Sequence, residues 1–339
     1  MANLAVQLFL HHENPNGYSK GQIMWTNILL TRVATSSPET FTTPFGLWFR
    51  KKLHPILRPV LRLASGCRIH VEYYPELEKD VPYIFASNHS FVDDIITNYA
   101  VVDRSAYTLI GTPDQVEHNP AMYAAWLCGM VFLDKISPQS RADSVEKMVR
   151  VLQGGSSVIL YPEGAWNNTE NLLMQPLFAG PWLLAKRTGC KVVPIAMYHT
   201  YKGKDIYFRA GDPMDLAEME KRSALDTLRN AMATMTYELM EAHAPVLKRA
   251  ELSPEPRLDY IDERMREYLC TKWTRDDWAM EVTIYRDKML PPPPEAVRAS
   301  FDNVTITPQN AAILAPILAR REEDKKYDLV KYLRENWKK

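Results

Sequence analysis

From residue 69 onward, apolar positions fall into short runs separated by stretches of helical period. Ile69–Tyr74 and Tyr83–Ala86 are β-branched and aromatic runs that read as strands. A helical pattern follows over Asp93–Val102, then a strand at Tyr107–Ile110, a helix around Ala121–Cys128 and a short strand at Val131–Leu133. Ser140–Leu152 puts Val145, Met148, Val149 and Leu152 on one helical face and stops at Gly154-Gly155. Beyond it come a strand at Val158–Tyr161, a helix at Ala179–Arg187, strands at Val192–Met197 and Ile206–Arg209, and a long helix at Ala224–His243. Strands alternating with helices, without an internal repeat, predict an α/β sheet covered by helices. Pro194 inside a buried apolar run marks an edge, a bend or a site boundary.

Upstream, residues 40–71 contain six Arg or Lys and no acid. On a helical projection Arg50, His54, Arg58 and Arg62 form one stripe, and Phe49, Leu53, Ile56, Val60 and Leu63 form another. Phe45 and Trp48 add aromatics at its start. Pro44 suits a first helical turn, whereas Pro55 and Pro59 predict a break, hence two short helices. Basic and apolar stripes of this kind predict helices that dock on a membrane surface with anionic lipids. The competing reading is a solvated basic face on a helix packed against the core. Residues 1–43 carry two short apolar patches with no assigned role. The longest uncharged apolar run, Ala121–Leu133, is too short for the roughly 20 residues a spanning helix needs. It reads as core, with part of it a candidate slot for an acyl chain.

Composition narrows the choice of partner. Lys plus Arg and Asp plus Glu are both 41, so the net charge is zero and the chain is not built to attract nucleic acid. Only 13 glycines, against about 24 at average usage, argue against a glycine-rich phosphate loop. Four widely spaced cysteines form no zinc or disulfide framework and suit a reducing, cytoplasmic setting. The last 89 residues hold 16 basic and 17 acidic residues, denser in charge than the rest. The chain therefore divides into an N-terminal segment (1–68), an α/β domain (69–250) and a charged appendage (251–339).

Two strand ends carry candidate chemistry. Asn88-His-Ser-Phe-Val-Asp-Asp94 follows a predicted strand and enters a predicted helix. A carboxylate there can hydrogen-bond the imidazole of His89, fixing its tautomer and stabilising its protonated form. The bland alternative is a capping network with Asp93 or Asp94 at the N-cap. Leu160-Tyr-Pro-Glu-Gly164 is a second strand-to-loop transition with a carboxylate before a glycine.

Taken in order, Asn-His-x4-Asp, then Gly129–Lys135, then Leu152–Gly164, then Val193-Pro-Ile-Ala196 closely resembles the glycerophospholipid acyltransferase superfamily. The nearest resemblance is to bacterial 1-acyl-glycerol-3-phosphate acyltransferases, over about residues 69–245. The resemblance implies that family's mixed sheet and acyl transfer from acyl-CoA or acyl-carrier protein, as co-substrate, to a lysophospholipid hydroxyl. It implies no separate cofactor or metal. His89 would be the general base and Asp94 its orienting partner, with Asp93 one residue short of the family spacing. Asn88 would position the dyad or face the oxyanion, and Glu163 and Gly164 would line the acceptor pocket. The third block departs from the usual Glu-Gly-Thr-Arg: Ala165 and Trp166 follow, as in a Glu-Gly-x-Trp-Asn subgroup. The second ends in Asp134-Lys135 instead of Asp-Arg. Phosphate recognition would then fall to Lys135, helped by Arg141, Lys186 or Arg187, or the acceptor is another lysolipid. Two readings from other classes compete: a non-catalytic lipid-binding or scaffold protein, and a metal-dependent hydrolase using His89, Asp93 and Asp94. The expected location is cytoplasmic, peripheral on the inner face of the cell membrane.

Overall fold

The computed structural model describes residues 36–89, 94–110, 127–133, 138–164, 173–200 and 204–244. After a short helix α1 (Pro38–Phe41) comes the long α2 (Pro44–Ala64), followed by β1 (Arg68–Tyr73), β2 (Ile84–Ser87) and α3 (Asp94–Val101). Strands β3 (Ala106–Ile110) and β4 (Met130–Phe132) precede α4 (Pro138–Gln153) and β5 (Ser157–Leu160). The order ends with α5 (Gly180–Thr188), β6 (Val192–His199), β7 (Asp205–Ala210) and α6 (Lys221–His243). Each predicted strand appears within a residue or two of its expected bounds. The predicted helix at 121–128 lies mostly outside the described residues, as do residues 251–339 of the charged appendage.

All seven strands form one mixed sheet in the order β1-β7-β6-β2-β5-β3-β4. Strands β6, β2, β5, β3 and β4 run parallel; β7 is antiparallel to β6, and β1 follows β7 in parallel. A parallel sheet needs cover on both faces, and alternation along β2 supplies residues to each. Phe85 joins the core cluster beneath α2 and α3, while Ile84 and Ala86 join the one beneath α4, α5 and α6. β2 and β5 are buried at every position, as their uninterrupted apolar character requires.

Pro194 lies inside an interior strand, in register with Ala86, so the edge reading is corrected. Its carbonyl accepts from the Gly211 N–H, which turns its peptide toward β7, where the β6–β7 register begins at Ile195↔Ala210. A residue without an N–H is tolerated at that ladder end.

The N-terminal helix departs further from expectation. Residues 44–64 form one continuous helix with Pro55 and Pro59 inside it, not two short helices. A proline removes the bond to the carbonyl four residues earlier, here those of Lys51 and Pro55. Both residues are exposed, so water can satisfy the carbonyls that the helix leaves unbonded. The orientation also reverses the simple amphipathic picture. Arg58 Nε donates to the Ala100 carbonyl (3.2 Å) and Arg62 Nη2 to the Ile69 carbonyl (3.0 Å). The Arg50 guanidinium lies over the Tyr107 ring at 5.4 Å, and His54 is buried. The basic stripe therefore faces the domain. The apolar stripe faces outward, with Leu63, Phe45 and Ile56 exposed by 84%, 71% and 65%.

Candidate active site

In an open α/β sheet, side chains converge outside the carboxyl ends of adjacent parallel strands. β2 lies between β5 and β6, so the residues just past these three strand ends meet. His89 follows β2. Its Nδ1 is 2.6 Å from Asp94 Oδ2, and Asp94 opens α3 in the described chain, with its side chain only 1% exposed. A contact that short between a buried carboxylate and an imidazole holds the Nδ1–H tautomer and leaves Nε2 as the basic nitrogen.

The residue before it explains how the chain leaves the sheet at this point. Asn88 N donates to the Ile195 carbonyl, the last rung of the backbone ladder. Its side chain then supplies the next rung: Nδ2 donates to the Met197 carbonyl (2.9 Å) and Oδ1 accepts from the Met197 N–H (2.8 Å). A carboxamide carries the same donor and acceptor as a peptide, so it satisfies β6 while the backbone turns away toward His89. Asn88 is thus a buried clamp on β6. This geometry supports the positioning role over contact with the oxyanion.

Glu163 belongs to the same scaffold. It is buried, with Oε1 accepting from the His89 N–H (3.1 Å) and Oε2 from the Gln175 N–H (2.8 Å). One carboxylate therefore ties the loop after β2 to the segment after β5. Gly164 closes that turn with φ +74°, and a Cβ there would lie 2.4 Å from Phe178 Cε2. Both requirements call for glycine.

Tyr161 was not among the residues expected at the site. Its ring centroid is 4.6 Å from that of His89, tilted by 32°. Its hydroxyl accepts from Asn98 Nδ2 (3.0 Å), and the same amide donates to Ser87 Oγ (3.1 Å). Burial pushes the Tyr161 phenol well above its ordinary range, with the charge of Asp94 adding to the effect, so it stays neutral. Its position directly before Pro162-Glu163 was the signal available in the sequence.

Of the proposed substrate-binding residues, Lys135 and Trp166 lie outside the described residues, as does Asp93. Arg141 sits in the first turn of α4, at the end of the helix that follows β4. Lys186 and Arg187 are corrected. They occupy the last turn of α5, which runs back toward the start of β6, at the opposite end of the sheet from His89. Arg187 Nη2 pairs there with Glu146 (2.8 Å).

Comparison with known proteins finds similarity over the stretch that holds these residues. The family model described as Acyltransferase matches residues 68–198. A chloroplastic 1-acyl-sn-glycerol-3-phosphate acyltransferase of Brassica napus is 27% identical over 169 residues, covering 47% of each chain. A 1-acyl-sn-glycerol-3-phosphate acyltransferase of Borreliella burgdorferi is 26% identical over 115 residues, 30% of this chain and 45% of its own. The chain thus spans less than half the length of these curated relatives. The crystal structure of the 1-acyl-sn-glycerophosphate acyltransferase PlsC from Thermotoga maritima matches with a TM-score of 0.46 and 16% identity, over 67% of this chain and 99% of that one. The His89–Asp94 pair and the Glu163–Gly164 turn both lie inside residues 68–198, the stretch of this chain that is similar to the Acyltransferase family model.

Proposed function

We propose that this chain moves an acyl group from a thioester donor, acyl-CoA or acyl-carrier protein, to the hydroxyl of a lysophospholipid. The first candidate acceptor is 1-acyl-glycerol-3-phosphate. The observation that carries the reading is the 2.6 Å His89–Asp94 contact at the mouth of β2, inside the stretch matched to the family. Nε2 of His89 takes the proton of the acceptor hydroxyl as its oxygen attacks the thioester carbonyl. Asp94 stabilises the imidazolium that forms. Collapse of the tetrahedral species breaks the C–S bond, and the imidazolium returns its proton to the departing thiolate. The thiol is already a good leaving group, so no acyl-enzyme is required.

Acceptor phosphate would be met by Lys135 with help from Arg141, and Trp166 would line the pocket in place of the usual arginine. Lysine offers a point charge without the planar fork of arginine, which is why a lysolipid with a different headgroup is the second acceptor to test. The outward apolar face of α2 supports peripheral attachment to a membrane, where such acceptors reside. Among the described residues no helix is long and apolar enough to cross one.

The test presents a panel of lysolipids with labelled acyl-CoA and acyl-carrier protein and reads products by chromatography. Lysophosphatidate is expected to yield a diacyl product. His89→Ala is expected to lose about 10²–10⁴-fold of the rate, the usual worth of a general base. Undiminished turnover in that variant would overturn the mechanism. No product from any donor–acceptor pair would favour a non-catalytic lipid-binding protein.

A further inference from the structure

The hydrogen bond to Asp94 holds the Nδ1 edge of the His89 ring. Rotation of the imidazole about its Cβ–Cγ bond would swing Nδ1 away from Oδ2 and shift Nε2, the atom that must meet the acceptor hydroxyl. A contact on the ring face opposes that rotation. Tyr161 is in that position, with ring centroids 4.6 Å apart and a tilt of 32°, within the range of aromatic pairing. Its hydroxyl is fastened to Asn98 Nδ2. Asn98 lies four residues after Asp94 on α3, hence on the same helical face. The support for the imidazole face and the support for its Nδ1 are therefore held by one helix. Asn98 also reaches Ser87, the last residue of β2, so the strand that delivers His89 is part of the same frame.

We propose that Tyr161 is a positioning residue for His89, its ring holding the imidazole in the plane where Nδ1 meets Asp94 and Nε2 faces the acceptor. This rests on the general-base reading of His89. The ring is the part that acts, and the hydroxyl adds one tie to Asn98 beside the packing that holds the ring. Removing the ring while keeping an apolar side chain therefore frees the imidazole. Removing only the hydroxyl leaves the ring wedged between its neighbours.

The experiment compares Tyr161→Leu and Tyr161→Phe with the full wild-type chain, all labelled with ¹⁵N-histidine. The His89 resonances are assigned by their loss in His89→Gln. In the wild type and in Tyr161→Phe, Nδ1 and Nε2 are expected to remain far apart in frequency, as a single Nδ1–H tautomer gives. In Tyr161→Leu the two are expected to move toward each other as the tautomers mix. With a turning-over acceptor, Tyr161→Leu is expected to lower kcat about tenfold, the worth of an aromatic pair contact. KM should stay within about twofold, since substrate binding is untouched. Tyr161→Phe should keep most of kcat.

If Tyr161→Leu keeps the wild-type His89 frequencies, the proposal is wrong, whatever happens to kcat. Equal losses in both variants would also overturn it, because the hydroxyl and not the ring would then be what matters. Should Tyr161→Leu fail to fold, by loss of the wild-type amide spectrum, Tyr161→Met fills more of the volume and takes its place under the same criteria. The spectra do not depend on turnover. Absence of acyl transfer in the wild type would sink the general-base reading while the tautomer comparison still decides the role of Tyr161 in holding the ring.

Discussion

Two peptide N–H groups, of His89 and Gln175, converge on the buried carboxylate of Glu163. In Glu163→Gln one of them would face an NH2 group, donor against donor, in a place water does not reach. An unsatisfied buried group costs about 1–3 kcal/mol, so urea unfolding of Glu163→Gln is expected to show a loss of that size. Because the His89 loop is one end of the tie, acyl transfer should fall as well. A wild-type unfolding midpoint would mean that the carboxylate is not a structural tie. Gly164→Ala is expected to cost at least about 1 kcal/mol in the same measurement, through its positive φ and the collision with Phe178. The His89–Asp94 contact was legible in the sequence because the two residues are five apart, so one strand end and one helix start bring them together. Glu163 was legible as a candidate but not as a clamp. The Asn88–Met197 pairing, 109 residues apart, and the Glu163–His89 pairing, 74 apart, exist only through the order of strands in the sheet. Tyr161 was hidden for the same reason: along the chain it reads as the last residue of a strand.

Helix α2 shows what periodicity contains and what it omits. The two stripes were correctly separated by their spacing, but nothing in the pattern said which one faces the protein. Arginine stems can lie against apolar surface while their heads find carbonyls, and here the heads of Arg58 and Arg62 do so at Ala100 and Ile69. The outward face then carries Phe45, Trp48, Phe49, Ile56, Val60 and Leu63, with Lys52 among them. Such a face is costly in water and suits the apolar side of a lipid interface. Trp48→Ser and Phe45→Ser are each expected to weaken flotation with phospholipid vesicles about tenfold, from roughly 1.5–3 kcal/mol per buried large side chain. Arg58→Ser is expected to leave vesicle binding nearly unchanged and to lower thermal stability instead, since it uncovers a carbonyl at the end of α3. The opposite pattern, with arginine changes releasing the protein and aromatic changes tolerated, would show that charge and not the apolar face does the docking.

At the scale of the whole molecule, α2 is joined to the sheet domain chiefly along α3, and His54 lies in that seam, only 5% exposed. Its pKa is lowered to about 4, first by burial and then by the positive charge of Arg58; Asp103 and a hydrogen bond with the Val102 backbone pull weakly the other way. The unfolded chain, with histidine near 6.5, therefore binds a proton over a range where the folded chain does not. Folding stability is unaffected by this group above about pH 6.5, falls as pH drops from there toward 4, and levels off below. The ceiling of the loss is about 3 kcal/mol, because each tenfold weakening of proton binding is worth roughly 1.4 kcal/mol. A neutral side chain of similar bulk has no such slope, so His54→Leu should lose less stability than wild type as pH falls from 7 to 4. Urea midpoints measured for both proteins across that range give the comparison directly. Curves that stay parallel would mean that His54 accepts a proton in the folded state without cost, and that acid weakens the protein elsewhere. Curves that converge or cross toward pH 4 would locate the acid-sensitive contact in the seam between α2 and α3. Since α3 also presents Asp94 to His89, loosening that seam is expected to reduce both vesicle attachment and acyl transfer in the acidic range, with His54→Leu protecting the two together.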